Sequence, residues 1–312
     1  MVDESGAGAV LIWGWALPFL GPPPTAAAAD LPMLNLVVYE GGVPTFYHLE
    51  QFDPALVAPV PGGWRFGANV LQSECVGGDW RVRAYLDLCV AGSTGRAVCE
   101  LRLDGPAAFG HPKGRGPHQW SILSAPATAS LRLNAPGLGE VGLRGRGYHD
   151  ENCSDRPLGA LGISEWAWGR IAEPECDRIH YTVQGRTAPV QLDVLAEPSG
   201  RLILRPLERL EGEGRIGGRW GFSAPRYLLT DAGRLESGPV VDESSFYLRF
   251  ALNSGAGRGW GERVRPAAID SAWMQSLVKM CVTRPDGGSP MLPWFSGARA
   301  DRAERLWSWW TR

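Results

Sequence analysis

Residues 80–90 read Trp-Arg-Val-Arg-Ala-Tyr-Leu-Asp-Leu-Cys-Val. The even-numbered positions carry apolar side chains, and the odd-numbered positions carry arginine, tyrosine, aspartate and cysteine. Because successive side chains of a β-strand point to opposite faces of the sheet, this period of two is typical of a strand with one face on a core. The stretch therefore predicts a β-sheet protein in which residues 80–90 form a half-buried strand.

Similar short runs recur along the chain and are separated by turn residues, since glycine (41) and proline (25) are both plentiful. Asn35–Glu40 and Thr45–Gln51 flank Gly41-Gly42, which predicts a hairpin because glycine readily adopts the positive φ angles of tight turns. The other predicted strands are Trp64–Leu71, Ala97–Asp104, Gln119–Leu123, Ala129–Leu133, Glu140–His149, Ile163–Arg170, Ile179–Gln184, Val190–Ala196, Arg201–Leu207, Tyr227–Thr230 and Ser245–Leu252.

These strands are too many for one eight-stranded barrel, and 312 residues are enough for two domains. Gly185–Pro189 separates strand-like segments, so the sequence predicts an all-β fold of two tandem antiparallel barrels, residues 1–187 and 188–312. A few helices are expected near the C-terminus. After Pro266, four apolar residues follow helical spacing: Ile269, Trp273, Leu277 and Met280.

Composition and charge exclude several classes of function. With 21% charged residues and a net charge of -2, the chain has no excess of positive charge for nucleic acid. No apolar run approaches the ~20 residues of a membrane-spanning helix. Residues 299–310 are charged and then aromatic; a helix flanking a barrel is favoured, and contact of Leu306, Trp307, Trp309 and Trp310 with a membrane surface is the alternative.

The N-terminal region allows two interpretations. Residues 9–20 are apolar and Thr25–Asp30 could imitate a signal cleavage site, but Met1–Ser5 is acidic where a signal peptide is basic. A buried strand from Ala9 to Trp15 is favoured, so we predict a cytoplasmic protein, with peripheral membrane contact left open and the oligomeric state undetermined.

Metal and nucleotide motifs are missing from the sequence. The six cysteines form no C-x-x-C pair, and free thiols are the simplest interpretation. No zinc-type spacing relates the five histidines, which are His48, His111, His118, His149 and His180. Residues 211–220 are glycine-rich but neither follow a clear strand nor open a helix, so turns are predicted there instead of a phosphate loop.

The most unusual local sequence is Gly-Arg-Gly-Tyr-His-Asp-Glu-Asn at residues 145–152, at the end of a predicted strand. On an extended strand Tyr148 and Asp150 share one face, and His149 and Glu151 share the other. Upstream, His118 and Trp120 share a face by the same alternation, and the two polar faces could meet across a barrel. Proton transfer is one interpretation of the cluster, and a hydrogen-bonded network that pins a strand end is the other.

The fourteen tryptophans also allow two interpretations. An excess of indole suits a cavity for a large apolar or cationic species, whereas large barrel cores would use the same residues for packing.

A resemblance to a known family bears on this choice. Gly147–Asn152 with Pro157-Leu158, followed by Trp166-Ala-Trp168-Gly-Arg170, resembles the Gly-Tyr-His-Asp-His-Asn-Trp-Gly signature and tryptophan strand of the carotenoid 1,2-hydratases, or hydroxyneurosporene synthases. His118-x-Trp120 is similar to that family's His-x-Trp pair. Glu151 stands where the family has its second histidine, and Cys153-Ser154 where it has Trp-Gly.

The resemblance implies two tandem lipocalin-like barrels and a hydratase that acts without a cofactor on an acyclic carotenoid or related polyene. Asp150 would protonate a terminal alkene, and water would capture the tertiary carbocation. Trp120 and Tyr148 would stabilise the cation, and His118 would orient the acid or activate water. The residues expected to bind substrate are His149, Glu151, Asn152, Trp166 and Trp168.

Two other functions stay open at this stage. In the first, the same acid and aromatic pocket triggers cyclisation of a terpenoid or polyketide, with an internal alkene in place of water. In the second, the barrel only carries an apolar ligand, as many lipocalin-like barrels do.

Overall fold

The computed structural model describes residues 1–15, 32–91, 93–110, 118–154, 161–185, 190–206, 210–211, 214–218, 221–230, 233–269, 271–283 and 296–299. The strands of the first half are β1 (Gly8–Gly14), β2 (Met33–Glu40), β3 (Val43–Gln51), β4 (Val57–Val60), β5 (Gly63–Phe66), β6 (Asn69–Val76), β7 (Asp79–Cys89), β8 (Arg96–Pro106), β9 (His118–Ala135) and β10 (Gly139–Ser154). The second half contains β11 (Ile163–Ala172), β12 (Asp177–Gly185), β13 (Val190–Ala196), β14 (Leu202–Pro206), β15 (Leu210–Glu211), β16 (Arg215–Gly217), β17 (Ser223–Pro225), β18 (Tyr227–Thr230), β19 (Gly233–Glu243), β20 (Tyr247–Asn253), β21 (Arg258–Val264) and β22 (Gly297–Ala298). Two helices, α1 (Pro266–Ile269) and α2 (Ala272–Met280), lie within these described ranges.

Strands β1–β10 form the wall of the first barrel. One antiparallel sheet has the order β10-β9-β8-β7-β6-β5-β4, and a second has the order β1-β2-β3-β22. Val2 joins them, since its backbone exchanges hydrogen bonds of 3.1 and 2.9 Å with Arg146 of β10 and it also bridges to Gly8.

The alternation in residues 80–90 is confirmed by β7, in which Val82, Ala84, Leu86 and Leu88 are buried and Tyr85 is exposed. Inward-facing residues of β8, β9 and β10 complete one large apolar core. Burying the hydrophobic side chains of one face is the main force that fixes the register of these strands, because a slip by one residue would turn every apolar side chain to solvent.

Turns in the first barrel occur where glycine permits them. Gly41 and Gly42, with φ of 59° and 74°, close the predicted hairpin between β2 and β3. The predicted strand Trp64–Leu71 is wrong, because the chain turns at Gly67, with φ of 58°, and its two halves pair with each other as β5 and β6.

The second half of the chain forms a nine-stranded sheet in the order β14-β13-β12-β11-β21-β20-β19-β18-β15, and β16 pairs with β17. The predicted division at residues 187 and 188 falls inside this sheet, because β12 and β13 are register partners from Asp177–Ala196 to Val183–Val190. The change of sheet lies between β10 and β11 instead. Gly185 ends β12, and Val190 begins β13 of the same sheet.

The all-β fold class, with few helices near the C-terminus, is confirmed. Helix α2 confirms the helical spacing after Pro266, and β1 confirms the strand expected from Ala9. Thr25–Asp30, Pro157-Leu158 and the aromatic cluster at Leu306–Trp310 lie outside the described residues. Neither described helix has the length and apolar character needed to cross a bilayer.

Replacing Leu133 by alanine should lower the free energy of unfolding by about 2–5 kcal/mol, because the cavity it leaves lies in the fully packed first core. Urea unfolding followed by circular dichroism measures the change. Leu56→Ala is the matched control, since Leu56 is 45% exposed and its truncation should cost roughly 0.5 kcal/mol or less. Equal losses in the two variants would contradict the assignment of the core.

Candidate functional site

The long hairpin of β9 and β10 belongs to two cores. These strands have 18 and 16 residues, and one end of the hairpin, with Leu131 and Leu133, packs inside the first barrel. The other end places Trp120 and Ile122 in a separate core with Ile179, Tyr181, Val194, Ala196 and Leu202 of the second sheet. The site lies at this second end, between the hairpin and the nine-stranded sheet.

The motif around Tyr148 lies where the pairing of β9 and β10 is irregular, with register shifts on both sides of His149. Tyr148 packs toward the second sheet, and Asp150 bonds to Trp120 on the same side. His149 points to the first barrel, where its Nδ1 accepts a hydrogen bond of 2.8 Å from the Trp80 indole. The predicted division of the motif between two faces is confirmed.

Asp150 is the acid of this cluster. Its Oδ2 accepts a hydrogen bond of 2.8 Å from Trp120 Nε1 and a longer one of 3.5 Å from Asn152 Nδ2. Burial raises the pKa of the Asp150 carboxyl to about 6, and the hydrogen bond from Trp120 partly opposes this rise. The group therefore keeps its proton to a higher pH than an ordinary aspartate does.

Tyr181 is a member of the site that sequence reasoning missed. Its ring stacks on Trp120 with centroids 4.4 Å apart and planes within 6°, and its hydroxyl is 2.7 Å from His118 Nε2. Tyr181 was visible only as one residue of the predicted strand Ile179–Gln184. The pairing of β11 with β12, which places Tyr181 opposite Trp168, brings it to the site, and no local pattern encodes that pairing.

A buried ion-pair network contacts the backbone next to Tyr148. Asp177, which is fully buried, binds Arg170 through Oδ2 and Arg146 through Oδ1, at 3.1 Å in the second case. Arg170 also donates a hydrogen bond of 2.8 Å to the carbonyl of Gly147, and its guanidinium lies 5.7 Å from the ring centroid of Tyr148. This network fixes the backbone immediately before Tyr148 and was not predicted.

The imidazoles of the site are neutral at physiological pH. Burial lowers the pKa of His118, and burial lowers the pKa of His149 to about 4. His149 is also 5.2 Å from the ring of Trp13, so its surroundings are aromatic on the side away from Asp150. The contacts of His149 suit bracing of the strand, whereas His118 contacts Tyr181 and Trp166.

Of the residues expected to bind substrate, the structure packs Trp166 and Trp168 against the core cluster that contains Trp120 and Tyr181. Trp168 lies 5.5 Å from the ring of Tyr148, and Trp166 lies 6.0 Å from that of His118. Glu151 and Asn152 are both exposed. The side chain of Asn152 donates a hydrogen bond to Asp150. Among the residues that the structure describes, no three His, Cys, Asp or Glu side chains converge as metal ligands.

Comparison with known proteins bears on the fold. A candidate AttH from Nitrosomonas europaea superposes with a TM-score of 0.53 at 14% identity, covering 78% of this chain and 84% of that one. CghA, solved with Sch210972, superposes with a TM-score of 0.52 at 12% identity, covering 85% and 86%. The fold is lipocalin-like. At these identities the likeness concerns the lipocalin-like architecture alone.

One relative is similar in sequence. Over 219 residues the chain is 32% identical to hydroxyneurosporene dehydrogenase of Chlorobaculum tepidum, a match that covers 61% of this chain and 56% of that protein. The chain thus matches about half the length of this relative. No family model matches the chain. The sequence relative and the structural likeness together support a loose resemblance to the hydratase and lipocalin-like proteins.

The raised pKa of Asp150 predicts a pH dependence of stability. Between pH 3.8, the ordinary pKa of an aspartate, and about pH 6, Asp150 keeps its proton in the folded protein and loses it in the unfolded chain. Its contribution is therefore complete below pH 3.8 and is lost as the pH rises through about 6. Unfolding free energies of the wild type should fall over this window relative to those of Asp150→Asn. Trp273→Phe, a change on an exposed face of α2, should follow the wild-type curve, and parallel curves for wild type and Asp150→Asn would contradict the assignment.

Breaking the buried ion pair should cost more than breaking an exposed one. Asp177→Asn leaves Arg170 buried without its counter-charge and should lower the free energy of unfolding by about 3–5 kcal/mol. Asp104→Asn removes the partner of Arg83 in a pair that is 40% and 49% exposed, and should cost roughly 0–1 kcal/mol. Urea unfolding at pH 7 compares the two, and similar losses would show that the buried network does not hold the motif.

Proposed function

We propose that this protein is a hydratase-like enzyme that adds water to a terminal C=C bond of an acyclic carotenoid or related polyene. The observation that carries the proposal is the Asp150 carboxyl, which accepts a hydrogen bond from Trp120 in an aromatic cluster and has a pKa raised by burial. An acid that protonates an alkene must be kept protonated near neutral pH, and desolvation does this.

The reaction begins with transfer of the Asp150 proton to the terminal alkene. The π electrons form the new C–H bond, which leaves a tertiary carbocation on the substrate and a carboxylate on Asp150. Both hydrogen bonds described above end on Oδ2, so the transferred proton is expected on Oδ1. Water then adds to the cation, and its surplus proton returns to the carboxylate or to His118, so that atoms and charge balance.

The surroundings of Asp150 suit a cationic intermediate. The faces of Trp120, Tyr148 and Tyr181 are electron-rich, and each can contribute roughly 0.5–2 kcal/mol of cation–π stabilisation. The nearby guanidinium of Arg170 would oppose a cation, but Asp177 balances its charge at hydrogen-bond distance.

The sequence relative supports the choice of substrate. Its name refers to hydroxyneurosporene, and if this chain acts on the same type of molecule, the substrate is an acyclic polyene with an isoprenoid end. The dehydrogenase activity in that name is not carried over, because the site geometry described here supports proton transfer from Asp150.

Cyclisation is the second candidate, and one observation favours it. Trp120 is almost completely buried and is covered by Tyr181, so the acid lies against a packed aromatic surface. Such a surface would exclude water and allow an internal alkene to capture the cation.

Incubation with lycopene- or neurosporene-type carotenoids in heavy water, followed by mass analysis, tests the proposal. Hydration gives a product with one added oxygen and one carbon-bound deuterium, whereas cyclisation gives an isomer. Asp150→Asn should lower turnover by about 10²–10⁴-fold, because the amide cannot supply the proton. Asp104→Asn, at an exposed side chain of β8, should keep wild-type turnover. Turnover that survives in Asp150→Asn would refute acid catalysis, and ligand binding without any product would indicate a carrier.

A further inference from the structure

Four buried polar atoms around Asp150 have no hydrogen-bond partner within the described residues. They are His118 Nδ1, Tyr148 Oη, Trp166 Nε1 and Trp168 Nε1. Buried polar groups in proteins are nearly always paired, so each unpaired one calls for an explanation. Four on neighbouring side chains of one cluster point to a ligand that supplies their partners.

The chemistry of these atoms restricts that ligand. An indole N–H can donate and cannot accept, so Trp166 and Trp168 both require an acceptor. A hydrocarbon offers none, and the isoprenoid end of a plain carotenoid would leave both indoles unsatisfied. Oxygen is the acceptor that a polyene-like substrate can carry, as a hydroxyl or a carbonyl group.

The charge of the site excludes an anionic oxygen. Arg170, whose guanidinium lies 5.7 Å from the ring centroid of Tyr148, already binds Asp177 and the carbonyl of Gly147. Asp150 would repel a carboxylate or phosphate whenever it is ionised. A neutral oxygen is therefore the acceptor that fits.

The two indoles lie on one face of β11, two residues apart, and pack against different rings of the site. Trp168 is next to Tyr148, and Trp166 is next to His118 and Tyr181, at 6.0 and 6.1 Å between centroids. Their rings are partly exposed while their Nε1 atoms are shielded.

We propose that Trp166 and Trp168 donate hydrogen bonds to a neutral oxygen bound beside Asp150, and that they make the site selective for an oxygenated substrate. The proposal rests on the proposed function for the place of the reacting alkene. The oxygen belongs either to the substrate or to the water that is consumed, and the two sources give different results below.

A pair of ligands with one skeleton tests the proposal. Geranylacetone has an isoprenoid alkene and a carbonyl group, and its partner is the hydrocarbon in which CH₂ replaces the carbonyl. Calorimetric titration measures the ratio of the two dissociation constants in Asp150→Asn, where turnover is blocked. The same ratio is then measured with Trp166→Phe, Trp168→Phe or both added. Because each variant is compared with itself, general damage to the pocket cancels from the ratio.

If the substrate supplies the oxygen, the ketone should bind about tenfold more tightly than the hydrocarbon. The ratio should fall toward one when both indoles become phenyl rings, and Trp273→Phe should leave it unchanged. If water supplies the oxygen, both ligands should bind equally, and the two indole variants should lower kcat of hydration about tenfold at constant KM. If the Trp166 and Trp168 variants change neither the ratio of dissociation constants nor kcat, the proposal is overturned.

Failure of the proposed function would look different. If the ligand ratio depends on Trp166 and Trp168 while the wild type gives no deuterated product from any polyene, the oxygen subsite stands and the hydratase assignment falls. If Asp150→Asn abolishes turnover but the indole variants change nothing, the hydratase assignment stands and the subsite falls.

Discussion

The structure depends on one constraint, which is that the hairpin of β9 and β10 is long enough to serve two cores. One end of it contributes Leu131 and Leu133 to the first barrel, and the other contributes Trp120 and Ile122 to the second. Two stiff strands thereby bring a packed aromatic core to the position of Asp150. The raised pKa of the Asp150 carboxyl follows from its burial there.

Local patterns in the sequence predicted the features that depend on local physics. Alternation over residues 80–90 predicted a half-buried strand, and the same rule divided Tyr148 and Asp150 from His149, as the structure shows. The all-β class also follows from such runs and their glycine turns. The turn at Gly67 was missed because one glycine within an apolar run does not distinguish a turn from a continuous strand.

Features that depend on distant pairing could not be predicted in this way. Strand β11 pairs with β21, far along the chain, and with β12, and these pairings place Tyr181 against Trp120. The Arg170–Asp177 pair likewise joins two neighbouring strands beneath a motif on a third. The site was therefore found through its motif, while the residues that enclose and hold it required the sheet.

The alternate side chains of β10 have a consequence for recombining this protein with others. His149 is bound to Trp80 of the first barrel, and its neighbour Asp150 is bound to Trp120 in the core shared with the second sheet. Adjacent residues of one strand thus bind side chains of different cores. A chimera that exchanged either half as a block would break one set of contacts at the motif itself, so new specificities are better sought by changing β11 and β12 while the hairpin is kept whole.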